Sequence, residues 1–142
     1  MSEKIIKIEE DVSFKNDDRH SNEYDGFILV TDQQTIRVGI SNAQSCCEDW
    51  GYFFTNDDVL EFIGSELLDV KLVSKCLSVD KAPKIYEGDV MFVNFETSKG
   101  TLQFAAYNEH NGYYGHDAVV LSKQLTTSQP WVFCPPPYVR NR

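Results

Sequence analysis

The chain has 142 residues, 42% hydrophobic and 13% aromatic, which suits one domain with a real apolar core and excludes disorder as the default. Its formal net charge of −9, with no cluster of Lys or Arg, argues against a nucleic-acid backbone as partner and fits a basic partner or plain solubility. No apolar window is long enough to span a membrane and the N-terminus lacks a signal-peptide core, so no membrane partner is expected and the location reads as cytoplasmic.

Residues 1–25 form an acidic, polar arm, with a short apolar alternation at Ile5, Ile6 and Ile8 that reads as an edge strand or a loose arm. Core domain 26–122 follows. Phe27–Thr31 and Thr35–Ile40 flank the turn Asp32–Gln34, and Ile36, Val38 and Ile40 fall on one face, which predicts a hairpin. The stretch Gly39–Tyr52 then reads as a loop leaving the second strand. Asn56, Asp57 and Asp58 offer caps for a helix of about two turns from Val59 to Ile63, with Gly64 as its stop.

Leu67–Cys76 alternates as a strand, with Val70, Leu72, Ser74 and Cys76 on one face. Residues 77–88 read as a loop. Asp89–Phe95 is nearly all apolar, as a central strand should be. Glu96–Gly100 reads as a hairpin turn, Thr101–Tyr107 as the returning strand, Asn108–Gly115 as a loop and Ala118–Leu121 as the next strand. The Pro-rich tail 123–142 carries Trp131, Val132, Phe133 and Tyr138, which should pack on the domain or on a neighbouring subunit. The expected fold is α+β and β-rich: a mainly antiparallel, curved sheet of about five to seven strands with one short helix.

Two loops concentrate the chemistry. The first carries Ser41, Asn42, Gln44, Ser45, Cys46, Cys47, Glu48 and Trp50. The second carries Tyr107, Asn108, His110, Asn111, Tyr113, Tyr114 and His116. Four readings compete. Both loops could be scaffold, with cysteines as small buried hydrophobes. Their short polar groups and flat aromatic faces suit a pocket for a planar, nucleotide-like ligand, with Asn42, Gln44, Ser45, Cys46, Cys47, Glu48, Trp50, Tyr107, Asn108, His110, Asn111, Tyr113, Tyr114 and His116 as its binding residues. A metal held by His110, His116 and a cysteine lacks the usual spacing. A Cys–His catalytic pair is cheap by composition, and nothing marks a stabilised thiolate. The ligand pocket leads, facing loop against loop, with no cofactor, no metal and no catalytic residue implied.

Ser45-Cys-Cys-Glu48 after a strand, Phe62-Ile-Gly64, Thr97-Ser-Lys-Gly100 and Asn111-Gly-Tyr-Tyr114 resemble the ordered landmarks of a small uncharacterised domain family of phages and bacteria that carry phage-derived genes. The resemblance covers residues 26–121. It implies that Cys46, Cys47 and Glu48 share one feature with Asn111, Gly112, Tyr113 and Tyr114, but it implies no chemistry. The sequence departs from the pattern at His110 and His116, where small polar or acidic residues are expected, which weighs against the metal and Cys–His readings. A phage setting suggests an anti-defence accessory protein that sequesters a nucleotide immune signal in the host cytoplasm, commonly as an oligomer. The alternatives are an acidic inhibitor of a host protein and a Cys/His-dependent enzyme.

Overall fold

The computed structural model describes residues 2–15, 23–41, 49–73, 88–109, 118–128 and 132–133. Ten strands lie in these residues: β1 (Ile5–Lys15), β2 (Glu23–Thr31), β3 (Thr35–Ser41), β4 (Asp49–Phe54), β5 (Leu67–Val73), β6 (Gly88–Thr97), β7 (Gly100–Glu109), β8 (Ala118–Leu121), β9 (Thr126–Ser128) and β10 (Val132–Phe133). The β-rich, antiparallel expectation is met, with the strands divided between two sheets. The first has the order β1-β2-β3-β8-β9, and the second the order β10-β6-β7-β4, with β5 also paired to β6.

The two sheets pack face to face because their strands alternate. Phe27 and Leu29 of β2, with Ile36, Val38 and Ile40 of β3, meet Met91, Val93 and Phe95 of β6 and Phe104 and Ala106 of β7 in one buried cluster. Phe27 joins the layers: its ring lies 4.0 Å from that of Phe54 and 5.3 Å from that of Phe104, the latter edge-on. Burying such side chains is the main favourable term in folding. β6 is central, and Val90, Met91, Phe92, Val93 and Phe95 are all buried, so both of its faces are covered, as its continuous apolar run implies.

Several expected boundaries move. Ile5–Lys15 is a full edge strand paired to β2, so the first sheet begins well before Gly26. Past Ser122, β9 pairs with β8, and β10 pairs with β6 of the same chain, which ties the start of the tail to the sandwich. The stretch Gly39–Tyr52 is not one loop: β3 runs to Ser41, and Asp49–Phe54 is a strand against β7. An added Cβ at Gly51 would stand 2.6 Å from the Tyr107 hydroxyl, so the tyrosine lies over this glycine. Gly51 makes β4 look like loop in sequence, although the glycine is what lets that side chain settle there.

The expected two-turn helix is a single 3-10 turn, Val59–Phe62, with Val59 and Phe62 buried. Gly64, at φ +93°, does stop it, and its N–H donates to the Ile5 carbonyl. In β5 the register slips between Leu67 and Asp69, which sets Leu67 and Val70, three residues apart, on the buried side; Leu72, on the face of Val70, is exposed. A bulge of this kind defeats strict alternation. The rest of the expected strand, with Ser74 and Cys76, lies outside the described residues. The hairpin turn is Ser98–Lys99, and Gly100 has φ +121°.

One end of the sandwich is closed by a polar network. Glu3, 8% exposed, accepts from Thr31 Oγ1 at 2.6 Å, Gln34 Nε2 at 2.7 Å and Gln124 Nε2 at 3.2 Å. It ties the N-terminal residues to the β2–β3 and β8–β9 turns.

Candidate functional site

The opposite end of the sandwich gathers the segments singled out in the sequence. β3 ends at Ser41 and β4 starts at Asp49, so residues 42–48 join the first sheet to the second. β7 ends at Glu109 and β8 starts at Ala118, so residues 110–117 cross back. The four bases are in register: Ile40 pairs with Ala118 in the first sheet, and Asp49 pairs with Glu109 in the second. Each segment therefore begins and ends beside the other. Segments 16–22 and 74–87 are joined at this end too, since Tyr24 pairs with Ser41, and Gly88 pairs with Glu109.

Asn42, Gln44, Ser45, Cys46, Cys47, Glu48, His110, Asn111, Tyr113, Tyr114 and His116 lie outside the described residues. The other three candidates sit on the bases. Trp50 pairs with Asn108 across β4 and β7, and Tyr107 is the next residue along, paired with Gly51. Tyr107 is half-buried against Val90, Phe92 and Ala105 on the outer face of the second sheet.

At the same end, Tyr24 is completely buried and stacked on Phe14 at 5.7 Å, and its hydroxyl has no hydrogen-bond partner among the described residues. A buried hydroxyl left unpaired gives up its bonds to water without replacement. Tyr24→Phe is therefore expected to leave stability unchanged or raise it by about 1 kcal/mol, read from the urea midpoint. A clear loss would mean that the hydroxyl is hydrogen-bonded in solution.

A second feature lies away from the loops, on the open side where edge strands β1 and β4 face each other. A cavity of about 370 Å³ there is lined by Glu10, Asp11, Phe27, Tyr52, Phe53, Phe54, Asn56, Asp57, Asp58, Val59 and Leu60. Asp11 sits where β1 slips register against β2, at φ +54°, a conformation that aspartate tolerates better than most residues. The bulge sets its carboxylate to accept from the Tyr52 hydroxyl at 3.1 Å, bridging the two sheets. Asn56 closes the base: its Nδ2 donates to the Thr101 carbonyl, and its Oδ1 accepts from the Gln103 N–H, both at 2.9 Å. In the sequence Asp57 and Asp58 read only as helix caps. Asp58 holds the cap position but makes no capping bond with its side chain.

Burial, followed by the Asp11 hydrogen bond and the negative charges of Asp11 and Asp25, pushes the Tyr52 phenol up from 10.0 to about 12. The fold thus holds the proton more tightly than the unfolded chain does. Its stabilising share is complete below pH 10.0 and is lost as pH rises towards about 12. Stability should fall over that window, and Tyr52→Phe should flatten the fall. Urea midpoints at pH ~9 and ~11 for both proteins check this; parallel losses would refute it.

A family model described as "Domain of unknown function (DUF7448)" matches residues 1–120, which include β1 as well as the stretch that carries the short landmarks. "Uncharacterized protein L278" of Acanthamoeba polyphaga mimivirus is 28% identical over 90 residues, 61% of this chain and 69% of that protein. No solved structure matches. Among the described residues, no helix is long and apolar enough to cross a membrane.

Proposed function

Because the chain belongs to the DUF7448 family, a domain of unknown function, its role has to be argued from its own geometry, and we propose that it is a non-enzymatic accessory protein that binds a small, nucleotide-like ligand between segments 42–48 and 110–117. The observation that carries this reading is the paired register of the loop bases, Ile40 with Ala118 and Asp49 with Glu109. A rigid double sheet that delivers two polar, aromatic-rich loops to one place is a common way to build a binding site. In this reading Glu48, Asn111 and His116 supply hydrogen bonds, and Trp50, Tyr113 and Tyr114 supply flat faces. The protein acts in the cytoplasm, as a homo-oligomer, without nucleic acid or membrane as partner.

The Cys-Cys-Glu and Asn-Gly-Tyr-Tyr landmarks suggest a phage-type setting, and the mimivirus relative supports a viral one. Anti-defence action, by sequestering a nucleotide immune signal of the host, is the role that fits such a setting. The second reading, an acidic inhibitor of a host protein, draws on the net charge of −9 and on the aromatic tail.

Native mass spectrometry of gently purified protein tests the first reading. Excess mass of a nucleotide-sized ligand is expected, lost in Glu48→Ala and Tyr113→Ala while the circular dichroism stays that of the parent. If both variants unfold, the loops are core and the pocket reading fails. If deletion of residues 134–142, which leaves β9 and β10 in place, abolishes capture of a host protein, the inhibitor reading takes its place.

A further inference from the structure

The cavity between β1 and β4 combines two kinds of wall. Glu10 and Asp11 come from the bulged strand and Asp57 and Asp58 from the turn after β4, while no Lys, Arg or His among the described residues lines it. Half-buried Tyr52 provides the aromatic side, backed by the buried rings of Phe27 and Phe54, with ring centroids 5.4 Å apart for Phe27 and Tyr52 and 4.0 Å apart for Phe27 and Phe54. We propose that this cavity receives an arginine side chain from an extended, basic segment of a partner protein.

The charge arrangement selects the group. Among the described residues no three carboxylates, histidines or cysteines come close enough to hold a metal ion. The acids are spread around the cavity instead, which suits a broad planar cation with several N–H donors. Guanidinium fits such a set of carboxylates and also stacks on aromatic rings, whereas an ammonium is a compact, strongly hydrated point charge. Two of the acids are unspent. Glu10 and Asp58 make no ion pair with any described residue, and the Asp58 side chain does not cap the turn that it begins.

The sheet edges select the source. Among the described residues β1 pairs only with β2, and β4 pairs only with β7. Each therefore presents a row of main-chain groups beside the cavity, which an extended chain can pair with and a free small cation cannot. Leu60, 53% exposed on the rim, gives an aliphatic contact for a residue next to the arginine. None of this involves residues 42–48 or 110–117, so the loop reading stands or falls separately.

The test is an NMR titration of the ¹⁵N-labelled full chain with three probes: the blocked peptide Ser-Leu-Arg-Leu-Ser, the same peptide with neutral citrulline for arginine, and N-acetylarginine amide. Shifts are expected at β1, β4 and the turn after β4 with the arginine peptide. Binding should weaken at least about tenfold with citrulline. It should weaken by a similar factor in the double variant Glu10→Gln, Asp58→Asn, whose spectrum keeps its dispersion because neither side chain holds the fold together. It should also weaken as salt rises. Equal binding of the citrulline peptide, or no effect of the double variant, would overturn the arginine assignment. N-acetylarginine amide binding as tightly as the peptide would overturn the peptide source in favour of a free small cation. No shift with any probe at about 5 mM would remove the site altogether.

Discussion

Gly26→Ala is expected to destabilise the domain by more than about 3 kcal/mol, enough in many backgrounds to yield no folded protein. A Cβ at this position would stand 2.0 Å from the Val38 carbonyl oxygen and 2.6 Å from the Gly39 Cα. Both obstacles are backbone, so no side chain can swing aside and β3 itself would have to move. Gly26 pairs with Gly39, and an added Cβ at Gly39 would meet the Asp25 carbonyl at 2.6 Å and the Phe14 ring at 3.1 Å. β2 and β3 therefore approach closely at a pair of residues without side chains, and an aromatic ring lies over one of them. Urea denaturation followed by far-UV circular dichroism measures the loss. A change below about 1 kcal/mol would mean that the strands do not approach this closely.

The neighbouring residue gives the second large effect by a different cause. Phe27→Ala should cost about 3–5 kcal/mol, the range for removing a buried aromatic ring. Phe27 is 4% exposed and touches three rings of the second sheet, those of Tyr52, Phe54 and Phe104. Deleting it opens a cavity between the layers, and its surroundings are strands that cannot close the gap. Phe27→Leu retains most of the volume and should cost clearly less. Equal losses for the two variants would show that ring packing is not what matters here. Gly26 and Phe27 point to opposite faces of β2, so one variant tests a backbone approach and the other a packed interior.

Much of the fold was legible because several strands keep a clean period. Ile36, Val38 and Ile40 alternate without interruption, and the run Val90–Phe95 marks a strand covered on both sides. Legibility failed where the chain slips. β1 changes register between Ile5 and Lys7 and again between Glu9 and Val12, so its buried residues Ile5, Ile8 and Phe14 do not keep the period of two that marks a strand. β5 has the same defect, and β4 was hidden by Gly51, whose reason for being glycine is a tyrosine on another strand.

The candidate loops were visible as unusual composition, and the register of their bases adds what composition cannot: which ends lie side by side. The acidic cavity was not legible at all. Glu10 and Asp11 look like part of a polar arm, and Asp57 and Asp58 look like caps. Only the bulge at Asp11 and the facing of two sheet edges bring them together, and neither leaves a local signature.

The two ends of the sandwich also decide how the protein should be handled. The Ser2 carbonyl accepts from Gln33 Nε2 at 2.8 Å, at the end held by Glu3, whereas β10 pairs with Val90 and Asp89, close to the bases of the two loops. A tag or surface tether attached ahead of residue 2 would hold the molecule with its loop end outward and accessible to analytes. A tether joined directly after Phe133 would leave from the strand beside the loop bases and crowd them. Immobilised binding assays should therefore be run with both orientations, and signal that depends on the loops should survive only the first.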